Sequence, residues 1–296
     1  ELCFLKIIST LNHIVMNNLN NENDGIILSG GSALNCPCNS SIAEKLGHEK
    51  VFIEPSCNDE GLGFGAAIAL ENLINKKLSA THIRDNQTNY ASPFLGPKAI
   101  PLRVELIKNF SNELLFKEIE NNSWCGDVAE LLMSGAVGMI IKGKSEIGPR
   151  ALGNRSIIAI PDKYEVSNKV NSIKNREEWR PLAPACLEKY FDYFFNGPKN
   201  PYMLMTCKAK NIYFPGVIHV DGSSRVQCVD NRSNNFYLIL NSIDKLINRP
   251  ILLLNTSCNR KGEAIINDVN IALDYLRNSD LNFLVTDEYI ITKRIN

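Results

Sequence analysis

Apolar positions change their period several times along the 296 residues. Leu5, Ile8, Leu11, Ile14 and Val15 recur at helical spacing and predict a helix over 2–18. A short apolar run at 25–29 leads into Gly30-Gly31 and predicts a strand, 40–46 reads as a helix, and 51–53 as a second strand. The helix expected over 60–77 carries a face of very small residues, Gly61, Gly63, Gly65, Ala66, Ala67 and Ala69, which permits close approach of backbone or ligand. A polar stretch at 79–110, punctuated by Pro93, Pro97 and Pro101, reads as a linker. Beyond it the pattern predicts helices at 113–121, 126–133, 163–172, 236–247 and 270–278. Strands are expected at 137–142, 156–160, 203–207, 217–220, 225–229, 251–255 and 282–286. Many strands with few helices between them imply an α/β unit built on a mixed, twisted sheet with helices packed against it. The division falls between 1–98, which includes the linker, and 99–296.

Charge narrows the choice of ligand. Lys+Arg and Asp+Glu both number 32, so the formal net charge is zero, and a bulk electrostatic attraction to nucleic acid or to a membrane surface is not expected. Any anion site must be local. The nine cysteines form no CxxC pair, and the four histidines show no zinc spacing with them. Reduced thiols in a cytoplasmic protein are the reading, without structural zinc. No apolar run reaches membrane-spanning length and no signal peptide is visible. The chain opens at Glu1 inside an apparent helix without a methionine, which suggests a piece of a longer protein.

Five clusters carry candidate chemistry. The run SEIGPRALGNRSI (145–157) places Arg150 and Arg155 on a glycine- and proline-stiffened turn between two expected strands. Such arginines suit multidentate grip on phosphate or carboxylate. NSIKNREEWRPLAP (171–184) gathers Lys174, Arg176 and Arg180 around Trp179, either as a clamp on a phosphate chain or as surface ion pairs with Glu177 and Glu178. HVDGSSRVQCV (219–229) reads as a hairpin with its turn at Asp221-Gly222, bringing His219, Ser223 and Arg225 together. LNTSCNRKGE (254–263) ends an apolar strand in Asn255, Ser257 and Asn259, at the kind of position where α/β proteins hold ligands. SGGSALN (29–35) exposes backbone N–H groups at Gly30 and Gly31, with Asn35 beside them, as a phosphate or ribose cradle or a plain turn. Asp59, just before the small-faced helix, is either a helix N-cap or a carboxylate metal ligand.

Taken together, GPRALGNRSI, the K-x-R-E-x-W-R-P-x-A-P run, HVDGSxRVQ, and NTSxN followed by KGE resemble the O-carbamoyltransferases of the NodU/CmcH type, in the same order. GGSALN and NDEGLGFGAA resemble the segment preceding these in that family. The resemblance implies a partial actin-like ATPase (ASKHA) lobe, related to the tRNA threonylcarbamoyl transferases, followed by a YrdC-like domain. The YrdC-like part would form carbamoyl adenylate from carbamoyl phosphate and ATP with Mg²⁺, and the actin-like part would move the carbamoyl group to a hydroxyl of a small-molecule acceptor. On this resemblance Lys174, Arg176, Arg150 and Arg225 are catalytic cations. Arg155, Ser223, Asn255, Ser257 and Asn259 bind substrate or nucleotide, Gly30, Gly31 and Asn35 form the transferase nucleotide cradle, and Asp59 helps hold an iron-type divalent metal. The family's two metal-binding histidines have no counterpart here, so that site is expected to be incomplete, with the missing N-terminal lobe supplied in cis or in trans. Ile147, Leu182 and Cys258 replace the usual aromatics, changes that alter packing more than chemistry. The alternative is a non-catalytic nucleotide- or RNA-binding module, or a subunit that needs a partner lobe.

Overall fold

The computed structural model describes residues 2–19, 25–75, 92–210, 213–231 and 235–294. The chain forms two compact units. One comprises 1–95 with the short segments 147–150 and 204–206. The other comprises 96–146, 151–203 and 207–296. The single cut expected at 98/99 is therefore replaced by a break after Leu95 and two later exchanges of chain.

In the first unit, helix α1 spans Leu2–Leu19 and α2 spans Cys36–Leu46. Strands β1 (Ile26–Leu28) and β2 (Val51–Ile53) pair in parallel, and α3 covers Glu60–Asn75. Helix α2 starts earlier than its apolar pattern suggests, because Asn35 caps it and Pro37 occupies its first turn. Ile42 and Ala43 are fully buried, whereas Ile27 in β1 and Leu62, Leu70, Leu73 and Ile74 in α3 stand exposed. Asn39 donates to Ala33 O and Leu204 O, and the Ser40 hydroxyl donates to Thr206 O, which ties 204–206 to α2.

The second unit is a mixed α/β fold around an eight-stranded sheet. Its order is β10-β6-β11-β5-β4-β12-β13-β3. Here β3 is Leu114–Glu118, β4 Gly138–Ile141, β5 Arg155–Ala159 and β6 Ala183–Leu187. The others are β10 (Gln227–Val229), β11 (Leu253–Ser257), β12 (Phe283–Val285) and β13 (Tyr289–Lys293). The β10/β6 and β4/β12 pairs are parallel, and the remaining neighbours are antiparallel. A small sheet joins β7 (Phe195–Asn196), β8 (Cys207–Ala209) and β9 (Ser223–Ser224).

Both faces of the large sheet are covered. Met139, Ile141, Ile157, Leu254, Leu284 and Ile291 face one apolar cluster, while Ile140, Ile158, Leu253, Phe283, Val285 and Ile290 face the other. This two-residue alternation between two buried layers explains why the strands read as continuous apolar runs. On the first face lie α6 (Tyr164–Ile173), α7 (Glu188–Phe194) and α9 (Val269–Arg277). On the second lie α5 (Trp124–Met133) and α8 (Asn235–Ile247).

Several expectations fail locally. The helix expected at 113–121 is the edge strand β3, paired along its length with β13. The sheet's free edge overrides local helix preference there. Within the expected linker, Val104–Phe110 forms α4, and 76–91 lies outside the described residues. The strand expected at 217–220 begins as a single 3₁₀ turn, Pro215–Val217. The hairpin at 219–229 is a tight turn instead. Gly222 N donates to His219 O, His219 N donates to Ser223 O, and β9 and β10 then join different sheets. No described helix is long and apolar enough to cross a membrane, and all nine cysteines are free thiols.

Candidate functional site

The loop between β4 and β5 is organised by a carboxylate the sequence reading passed over. Glu146 Oε1 accepts from the backbone N–H groups of Leu152 (2.7 Å), Asn154 (2.8 Å) and Arg155 (3.3 Å). Three N–H groups converging on one acid were visible in sequence only as a glutamate preceding a glycine-rich run. Gly153 has φ +123°, and a Cβ there would press on the Phe236 ring at 3.0 Å, so glycine is required.

Arg155, expected to grip an anion, closes the same loop. Its side chain is fully buried. Nε donates to Asn267 Oδ1 at 2.8 Å. Nη1 donates to Asn154 O at 2.7 Å and Lys142 O at 3.4 Å, and Nη2 to Gly143 O at 2.9 Å and Pro97 O at 3.4 Å. A guanidinium whose donors all point at protein oxygens has none left for phosphate. Arg150, five residues earlier, belongs to the first unit with 147–150, where its charge acts on the Cys57 thiol. Its buried Nε has no hydrogen-bond partner among the described residues.

A second cluster forms where the end of α6 meets the end of β11. Lys174 is buried at the α6 C-terminus. Its Nζ donates to Ser257 O, and lies 2.7 Å from Asn259 O, 3.0 Å from Asn259 Oδ1 and 3.4 Å from Ser257 Oγ. Lys261 N donates back to Lys174 O at 2.9 Å. The K-x-R run and the NTSxN loop are thus one structure. Burial, and then the neighbouring Arg176 and Arg180 charges, push the Lys174 ammonium down to about 8, still protonated at neutral pH.

Arg176 stands beside it, half-buried. Nη2 reaches only Pro181 O, at 3.5 Å, and its buried Nε has no hydrogen-bond partner among the described residues. Burial, then Arg180, hold its pKa below the usual arginine value. Glu177 favours the Arg176 charge through space but forms its ion pairs with Lys261 and, at 3.8 Å, with Arg180. Trp179, 79% exposed, stands at the rim. Asn171 supports the loop by donating to Glu178 O and Arg180 O.

The other expected site residues fall elsewhere or are already engaged. Asn255 Nδ2 bridges Ala151 O and Gln227 Oε1, both at 2.9 Å, and its buried Oδ1 lacks a hydrogen-bond partner among the described residues. It latches the β4–β5 loop to the sheet. Ser223 donates its N–H to Asp221 Oδ1 at 2.8 Å and lies 3.3 Å from His219 Nδ1, which builds the 219–224 turn. Burial lowers the His219 pKa, Asp221 opposes that, and Arg225 adds to it, so Arg225 belongs with this turn. Gly30 (φ +89°) donates to Cys57 O at 2.7 Å, and a Cβ on Gly30 or Gly31 would meet open space. Asn35 uses its side-chain oxygen to cap α2, accepting from Cys38 N at 3.2 Å. Asp59 is exposed at the start of α3. No group of three histidine, cysteine or acidic ligands exists among the described residues, so Asp59 stands alone and the iron-type site does not fit the residues present.

The profile of the Carbamoyltransferase C-terminus family matches residues 129–293, and that of the Carbamoyltransferase N-terminus matches 4–68. The nodulation protein NolO of Bradyrhizobium diazoefficiens is 31% identical over 91% of this chain and 49% of its own length. NolNO of Sinorhizobium fredii is 35% identical over 90% of this chain and 39% of its own length. An uncharacterized protein of Methanocaldococcus jannaschii is 35% identical over 96% and 55% respectively. The chain thus spans about half the length of these curated relatives or less. Among solved structures, full-length HypF in its phosphate- and nucleotide-bound form is similar with a TM-score of 0.40 and 17% identity, covering 58% of this chain and 24% of HypF. A P. abyssi Sua5 variant has a TM-score of 0.35 and 13% identity, covering 58% of this chain and 50% of that one. With both family profiles in chain order and the C-terminal one covering more than half of it, the chain belongs to the carbamoyltransferase family.

Proposed function

We propose that the second unit makes carbamoyl adenylate from carbamoyl phosphate and ATP, and that the carbamoyl group then passes to a hydroxyl of a small-molecule acceptor. The observation that carries this is the incompletely satisfied guanidinium of Arg176 beside the buried Lys174, in a chain of zero net charge. A half-buried cation that forms no ion pair among the described residues is held at a cost that a bound anion offsets. Here Lys174 orders the Ser257–Asn259 loop, and Arg176, with Arg180, faces the phosphates. In the reaction, hydrolysis of carbamoyl phosphate releases phosphate and carbamate. A carbamate oxygen then attacks the ATP α-phosphorus, the bond to the β-phosphate oxygen breaks, and pyrophosphate leaves. Fixed cations stabilise the charge gathering on that leaving group. Gly30 and Gly31, with open space before them, suit a nucleotide in the transfer step, in a YrdC-like and actin-like arrangement. The exposed apolar residues of β1 and α3 suit coverage by a further lobe in the whole protein. No step is assigned to the iron-type metal or to Mg²⁺.

The test is pyrophosphate release from ATP and Mg²⁺, with and without carbamoyl phosphate, and with no acceptor. Release that depends on carbamoyl phosphate is expected. Well-folded chain that binds ATP but releases nothing, or that binds RNA in a salt-dependent way despite excess ATP, would replace this reading with a binding module.

A further inference from the structure

A cavity of about 540 Å³ opens in the second unit, away from the Lys174 cluster. Ile160 and Ile251 line it. These residues adjoin β5 and β11 at the end opposite Arg155 and Ser257, since Leu254 pairs with Ala159 and Ser257 with Ser156. At about 3.3 Å per residue, the length of β11 separates the two places by roughly 15–20 Å. The cavity size suits a small molecule rather than a polypeptide segment.

One wall is aromatic. Tyr193 and Phe194 come from α7, and Tyr213 and Phe214 from the segment after β8. The Phe194 ring is the hub: Tyr193 meets it edge-on at 4.9 Å and Phe214 at 5.6 Å. Tyr193 is 52% and Tyr213 67% exposed, so both rings remain accessible to a small molecule. Two charges of opposite sign, Arg249 and Asp162, also line the cavity, and both are exposed. Neither side chain has a hydrogen bond or ion pair among the described residues.

We propose that this cavity is a second ligand site, for a planar, largely apolar small molecule bearing an anionic group. Its rings lie against the aromatic wall, its anion meets the Arg249 guanidinium, and Asp162 accepts from a hydroxyl or amine on its edge. The site is independent of the adenylation reading. Nothing in it touches Lys174, Arg176 or the Ser257–Asn259 loop.

The probe is 2-naphthoate, titrated calorimetrically into the 296-residue chain. One saturable site is expected. Arg249→Ser should weaken it by about tenfold, the loss of one charge-assisted contact, and Tyr213→Ser should weaken it by a similar factor. Both residues are exposed, so the variants should keep the thermal midpoint and the pyrophosphate release of the parent chain. Leu73→Ser, on the exposed apolar face of the first unit, should leave the titration unchanged. Absence of saturable binding would overturn the proposal. So would binding that survives both Arg249→Ser and Tyr213→Ser, or that falls with Leu73→Ser instead.

Discussion

Two arginine-bearing loops at one end of the large sheet look alike in sequence and differ in what their cations have left to give. In the β4–β5 loop, Arg155 spends its guanidinium on five protein oxygens while Glu146 collects the backbone N–H groups beneath it. Next to α6, Arg176 has one long contact and a buried Nε without a hydrogen-bond partner among the described residues. A cation whose donors are all consumed is a structural element, because bringing phosphate to it would require breaking what it holds. One with donors to spare is poised for an anion. Residue type and charge are the same in both loops, so the hydrogen-bond account is what separates scaffold from site.

The sharpest break of this comparison is Arg155→Ala. It strands the oxygens that the guanidinium holds, most of them on buried or half-buried residues, and should cost about 3–5 kcal/mol of stability, read as a lowered urea midpoint. A loss under about 1 kcal/mol would mean that the loop holds without it. Next is Arg176→Ala. It should leave the urea midpoint nearly unchanged and reduce carbamoyl-phosphate-dependent pyrophosphate release by about 10²–10³-fold, roughly 3–4 kcal/mol in the barrier. If that variant turns over normally, Arg176 has no part in catalysis. Lys174 sits between these extremes. Its removal frees the Ser257 and Asn259 oxygens, so Lys174→Ala should damage stability and turnover together.

The mildest probe is pH. Lys174 falls from 10.5 to about 8 on folding, so its contribution is absent below pH 8 and grows as pH rises towards 10.5. Cys207, Cys228 and Cys258 rise from 9.0 to about 12, because burial disfavours their thiolates. Their contribution is complete below pH 9 and is lost as pH rises through 12. With these three thiols and Cys186, whose pKa burial also raises, set against one lysine, the urea midpoint should rise slightly between about pH 8 and 9. It should then fall steadily as pH rises further. Lys174→Met should abolish the small rise and keep the fall. A midpoint that climbs through pH 9–10 would contradict the thiol assignment.

The pattern reading found the strands of the sheet centre because each is buried on both faces. Val137–Lys142 and Asn282–Thr286 were expected, and β4 and β12 lie within them. It failed at the edge strand β3, which is a strand because β13 offers an edge, and at the inner strand β6, which contains Pro184 and whose five residues are all buried. For the site, the K-x-R run and the polar end of β11 were both legible as chemistry-bearing, and their union through Lys174 Nζ was not, because 83 residues separate Lys174 from Ser257.

Composition, periodicity and ordered motifs were therefore sufficient for the α/β class, the local nature of any anion site and the carbamoyltransferase resemblance, since these rest on residue types and short-range spacing. Which arginine is scaffold and which stands ready for a ligand rests on where distant carbonyls and carboxylates point. Pro97 and Asn267 meet Arg155 only once the chain has folded, and among the described residues no acid forms an ion pair with Arg176.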